Sequence, residues 1–138
     1  MPIYLDMPPY LARWLQATAG KGHVVALPPR SPIVTMLRHA ARPCKKGERP
    51  DLPRPGAIAV EVGRWAERTP HIPHRTRTRA VTLLKATLDT LLLTRLRCRH
   101  EPSEAQAIAA FLQETGIGAA HTDTIKKRYY RLKRAMRK

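Results

Sequence analysis

The chain has 138 residues, with 26 Lys plus Arg against 10 Asp plus Glu, a formal charge of +16 at pH 7. That length fits one domain, or one domain with a short appendage, and 43% hydrophobic residues can build a core, which excludes a disordered basic tail. No apolar run approaches roughly 18 residues, the opening Met-Pro-Ile-Tyr-Leu-Asp is no signal peptide, and Cys44 and Cys98 make no disulfide framework. The expectation is a reduced, cytoplasmic protein without a membrane span.

Taken in chain order, Pro2 to Leu5 reads as a short strand. Asp6 is placed to cap, and Pro8-Pro9 suit the first turn of a helix. Tyr10, Leu11, Trp14, Leu15 and Thr18 share one face of that helix, and Gly20 stops it. His23 to Leu27 reads as a buried strand. Ser31-Pro32 opens a second helix running to about Arg42, with Ile33, Met36, Leu37 and Ala40 inward. Residues 43–56 form a Pro-rich basic loop, and Ala57 to Val62 a third strand. Residues 63–74, with Trp65, Pro70 and Pro73, form another loop. Three short strands need a covering helix. Residues 76–98 supply it, because Val81, Leu84, Leu88, Leu91 and Leu92 repeat at helical spacing and Leu83, Leu93 and Leu96 widen the stripe. Asp89 lies one turn after Lys85, which predicts an ion pair between them.

The last third is a helix pair. Ser103 with Gln106 three residues on is a capping-box pattern. Ala105, Ile108, Phe111 and Leu112 form the apolar face of the first helix. Gly116 ends it in a left-handed turn, with Ile117 folding back on Leu112. Thr122 or Asp123 caps the second helix, whose stripe is Ile125, Tyr129, Leu132 and Met136. The fold class expected is α+β: residues 1–100 form a small α/β core with the long helix, and residues 101–138 a helix-turn-helix-like segment of the same compact unit.

Charge placement sharpens the reading. Residues 101–121 hold no Lys or Arg and three acids, Glu101, Glu104 and Glu114. Residues 122–138 hold eight basic residues against Asp123, a net of +7. With the apolar stripe inward, Lys127, Tyr130, Arg131, Arg134, Arg137 and Lys138 face away, and such a face follows phosphates and offers Arg or Lys to base edges. Thr122 and Thr124 at the helix start add donors to a phosphate. The candidate nucleic-acid-binding set is therefore Thr122, Thr124, Lys126, Lys127, Arg128, Tyr130, Arg131, Arg134, Arg137 and Lys138. Arg75, Arg77 and Arg79 add backbone contacts. The bland alternative is an amphipathic helix docked on the core with its charges merely solvated.

Other features point to less. Cys98-x-His100 and His71-x-x-His74 lack the paired-cysteine spacing of a metal site. Gly20-Lys-Gly-His23 follows a helix and lacks the phosphate-loop spacing. No Ser or Cys stands in a nucleophile-like context. The expectation is no enzyme, no cofactor and no metal.

Three stretches carry a resemblance: Tyr4-Leu-Asp-Met-Pro-Pro-Tyr-Leu-Ala-Arg-Trp-Leu15, Pro50-Asp-Leu-Pro53 and Asp123-Thr-Ile-Lys-Lys-Arg-Tyr-Tyr-Arg131. Together they resemble small bacterial prophage and mobile-element proteins with a C-terminal helix-turn-helix-like DNA-binding segment. The resemblance implies a phage or mobile-element setting and a DNA-binding helix pair, with no catalytic motif.

The function expected is a DNA-binding regulator or accessory factor, neutralising about six phosphates. The alternative is an RNA-binding or assembly subunit of a ribonucleoprotein or reverse-transcriptase complex. A third reading is a basic subunit docking on an acidic protein. Partners expected are duplex DNA, with RNA open, and a second copy of the chain or a larger nucleoprotein complex. Leu93 and Leu96 are the leucines expected at a dimer face.

Overall fold

A computed structural model describes residues 2–21, 24–28, 30–40, 42–43, 55–61 and 70–136. The fold is α+β. The elements run β1 (Pro2–Asp6), α1 (Pro9–Ala19), β2 (Gly20–Lys21), β3 (Val24–Ala26), α2 (Pro32–Ala40), β4 (Arg42–Pro43), β5 (Ala57–Glu61), β6 (Pro70–His71), α3 (His74–Arg97), α4 (Glu104–Glu114) and α5 (Thr122–Met136). A single 3-10 turn, Ala119–His121, precedes α5. Expectations for His23, Cys44, Trp65, Arg137, Lys138 and most of the basic Pro-rich loop fall outside the described residues.

The three expected strands form one sheet in the order β1-β5-β3-β2, with the two-residue β2 as a fourth member. β1 and β5 are antiparallel, placing Ile3 opposite Val60 and Leu5 opposite Ile58. β3 and β5 are parallel, with Val25 beside Val60. The parallel pair requires the crossover that α2 provides. Strand side chains alternate between faces, so Ile3, Leu5, Val25, Ile58 and Val60 share the face that meets the helices. β4 and β6 make a separate two-stranded ladder; two-residue strands carry no periodicity that sequence reading could use.

Helix boundaries follow local chemistry. Pro9 opens α1 after Pro8, where a missing N–H costs nothing. Asp6 belongs to β1 rather than to a cap, and Thr18 is exposed. In α2 the Val34 amide donates to Ser31 Oγ at 3.3 Å. In α4 the Gln106 amide donates to Ser103 Oγ at 3.2 Å, as the capping pattern predicts. Gly116 ends that helix at φ +75. A side chain there would also collide with the Ala17 methyl, so α1 meets the turn after α4 without room for one more carbon.

One apolar cluster joins the sheet to all five helices. Leu84, Leu88, Leu92 and Leu96 of α3 form its spine, and Ile117 is fully buried. Leu96 cannot be a dimer contact, and Leu93 is half-buried against the core. Among the described residues the exposed leucines are Leu83 and Leu91. They lie on an uncharged face with Thr82, Ala86, Thr87, Thr90 and Thr94. The hydroxyls of Thr82, Thr87 and Thr90 donate back to carbonyls of α3, each at 3.0 Å, and so leave methyls toward solvent. Among the described residues, no helix is long and apolar enough to cross a membrane.

An arginine closes the α3–α4 junction. Arg95 donates Nη1 to Glu101 Oε2 at 3.1 Å and Nε to Glu114 Oε2 at 3.0 Å. Those hydrogen bonds hold the Glu101 carboxyl down at about 2 and lower Glu114 as well. An unfolded Glu titrates near ~4.3. The folded value is depressed, so this contribution to stability is fully present above about pH 4.3 and is lost as pH falls toward 2. Thermal unfolding followed from pH 5 down to pH 2 should show a falling midpoint in that window, and Glu101→Gln should flatten the fall.

Candidate nucleic-acid interface

α5 is fixed by two buried side chains, Ile125 at 0% and Tyr129 at 5% exposure. Leu132 is half-buried against the same cluster. Met136, expected inward, is 47% exposed. It overhangs the end of α3, where Arg97 Nη2 donates to its Sδ at 3.3 Å. Arg97 with Met136 and Asp89 with Arg128 keep the same sequence offset, so α3 and α5 run in the same direction.

The borders of α5 are set by charge. On one side Arg128 makes a two-pronged contact with Asp89 of α3, through Nε to Oδ1 and through Nη2 to Oδ2, the latter at 2.8 Å. Its guanidinium also lies 5.8 Å from the centre of the Tyr10 ring on α1. Burial pushes the Tyr10 hydroxyl up, and the positive charge of Arg128 opposes it. On the other side Lys133 Nζ donates to Glu104 Oε1 of α4 at 2.8 Å and lowers that carboxyl. Lys133 also sits over the rings of Tyr129 and Tyr130, at 5.2 and 5.9 Å.

Two sequence expectations are thereby corrected. Asp89 pairs with Arg128, not with Lys85, because a fork-shaped guanidinium from α5 reaches both carboxylate oxygens. Arg128 accordingly leaves the candidate binding set: it is an internal tie, with 25% of its side chain exposed.

What remains outward is compact. Lys126, Lys127, Tyr130, Arg131 and Arg134 are all exposed. Lys126, Tyr130 and Arg134 follow one i, i+4 row, and Lys127 and Arg131 the row beside it. No acid among the described residues pairs with these four cations. Tyr130, 40% exposed, is held by its stack on Tyr129, with ring centres 5.8 Å apart and planes at 16°.

The other expected residues are placed elsewhere. Thr124 is exposed on the Arg128 side of α5. The Thr122 hydroxyl donates to the Ala119 carbonyl at 2.7 Å, and its amide does the same, so the 3-10 turn takes donors that a phosphate was expected to receive. Arg75 and Arg79 are exposed on the first turns of α3. By the α3–α5 register they lie beyond the N-terminal end of α5 rather than on its face. Arg77 Nε donates to the Ile72 carbonyl at 3.0 Å and holds the start of α3. Among the described residues no group of three or more His, Cys, Asp or Glu is placed to hold a metal.

One further exposed cation stands near the start of α5. Arg13 of α1 is exposed, and its guanidinium lies near Gly118, 3.5 to 3.9 Å from where a side chain at that glycine would begin. Its position in the sequence, between Ala12 and Trp14, carries no signal of this. No protein-family model, curated protein or solved structure matches the chain.

The geometry separates structural from outward residues, and mutation should do the same. Arg128→Met leaves Asp89 without its partner and should cost about 1–3 kcal/mol of stability. Ile125→Ala should cost about 2–4 kcal/mol through the cavity it leaves. Arg131→Ala should stay within about 0.5 kcal/mol of the parent protein. Denaturant unfolding of the three variants checks the ranking.

Proposed function

We propose that this protein is a non-enzymatic binder of duplex DNA, a regulator or accessory factor that presents α5 to a major groove. The observation that carries the reading is the pair of adjacent rows on α5: four cations and one aromatic, all outward, with no acid paired to them. The opposite face is occupied by Ile125 and Tyr129 and cannot be the binding face. A major groove is about 12 Å wide and admits one helix. At about 1.5 Å per residue, the 15-residue α5 is about 22 Å long, enough to follow a groove over several base pairs.

The division of labour follows from side-chain chemistry. Lys126 and Lys127 are point charges suited to phosphates, and Arg131 and Arg134 offer planar forks suited to phosphate or guanine. Tyr130 supplies an apolar surface with a hydroxyl between them. α4 supports the pair, its acids being paired with Arg95 and Lys133. A prophage or integrating element, the setting implied by the resemblance, is the context in which we place such a factor. If it acts as a dimer, the uncharged α3 face with Leu83 and Leu91 is the surface that the second copy would share.

With four or five phosphates neutralised, log K should fall with log salt at a slope of about −4. Arg131→Ala with Arg134→Ala should weaken duplex binding by about tenfold to a hundredfold and reduce the slope by about 2. A gel-shift titration across salt, with unlabelled duplex DNA, structured RNA and heparin as competitors, checks this. A flat salt response, or equal displacement by all three competitors, would overturn the reading.

A further inference from the structure

We propose that Arg13 of α1 is a second anchor of the interface, holding a backbone phosphate of a duplex at the N-terminal end of α5, on its α1 side. The inference rests on the duplex reading above and adds a residue from the other end of the chain. Three residues on one ridge of α1 meet the C-terminal helices in order. Ala17 abuts Gly116, Arg13 lies near Gly118, and Tyr10 lies beneath Arg128. Arg128 marks the border of α5 on that side, and its outward neighbours one turn away on the helix are Thr124 and Arg131. Arg13 therefore stands at the N-terminal end of α5, on its Arg128 side and on a different element.

Its surroundings suit an anion. No acid among the described residues pairs with Arg13. The guanidinium lies by a glycine at φ +90, where a larger residue would be strained. A helix seated in a groove has a phosphate strand on either side of it. A cation beside the helix axis meets one of those strands, whereas a single strand tracking α5 alone has no need of it.

The test uses the full chain, a duplex of about 20 bp, and one of its strands alone, each titrated over a range of salt. Arg13→Ala should weaken duplex binding by about threefold to tenfold and lower the salt slope by about 1, with single-strand affinity unchanged within about twofold. Arg13→Lys should restore the slope. Arg13→Gln, which keeps atoms near Gly118, serves as the neutral variant if Arg13→Ala melts earlier than the parent. Duplex affinity unchanged in the neutral variant, or an equal loss on duplex and single strand, would overturn the proposal. The Arg131→Ala, Arg134→Ala protein run in parallel separates the two claims. If it binds weakly while the Arg13 variant binds normally, only the anchor fails. If it too binds normally, the α5 reading fails and the anchor with it.

Discussion

Asp89, Glu104 and Glu114 each reach across to a different helix, and together they tie α3, α4 and α5 into a triangle. Asp89 takes Arg128, Glu104 takes Lys133, and Glu114 takes Arg95, which also holds Glu101. Exposed ion pairs contribute little to stability singly. Their larger effect here is on where charge ends up. Of the five acids between residues 74 and 136, four are consumed inside the triangle. Only Asp123 remains beside the outward cations of α5. A strongly basic protein thus gains an acid-poor face by spending its acids between helices.

Apolar packing and charge act on α5 at right angles. Ile125 and Tyr129 press it onto the core and set which face is hidden. Arg128 and Lys133 pin its two edges and set its rotation about its own axis. The stack of Tyr130 on Tyr129, with Lys133 over both rings, carries that order out to the surface. A side chain at the outer face is thereby fixed through Lys133 to Glu104 of a neighbouring helix. Such support lowers the entropy lost on binding.

Much of the framework was legible from local pattern. Leucine spacing located α3, Ser103 with Gln106 located the start of α4, and the Ile125–Tyr129 stripe oriented α5. What escaped was non-local. The Asp89–Arg128 contact joins residues far apart in sequence, and the nearer Lys85 was the natural guess from helix spacing. Met136 fits the apolar stripe, yet the stripe outlasts the core because α3 ends at Arg97. Leu83 and Leu91 look like core on composition, yet they turn toward solvent because a helix that long cannot be covered on every side. Arg13 has no local signal at all; its place beside Gly118 comes from residues far apart in the chain.

The fit of Ala17 against Gly116 couples two positions that selection would otherwise treat separately. A residue larger than glycine at 116 meets the Ala17 methyl, which cannot swing aside. Substitutions at these sites should therefore be epistatic, each harmful in proportion to what occupies the other. The same fit joins α1, which lies against the sheet, to the three-helix triangle. Grafting the triangle onto another scaffold would require bringing α1 with it, as part of the tool rather than part of the handle.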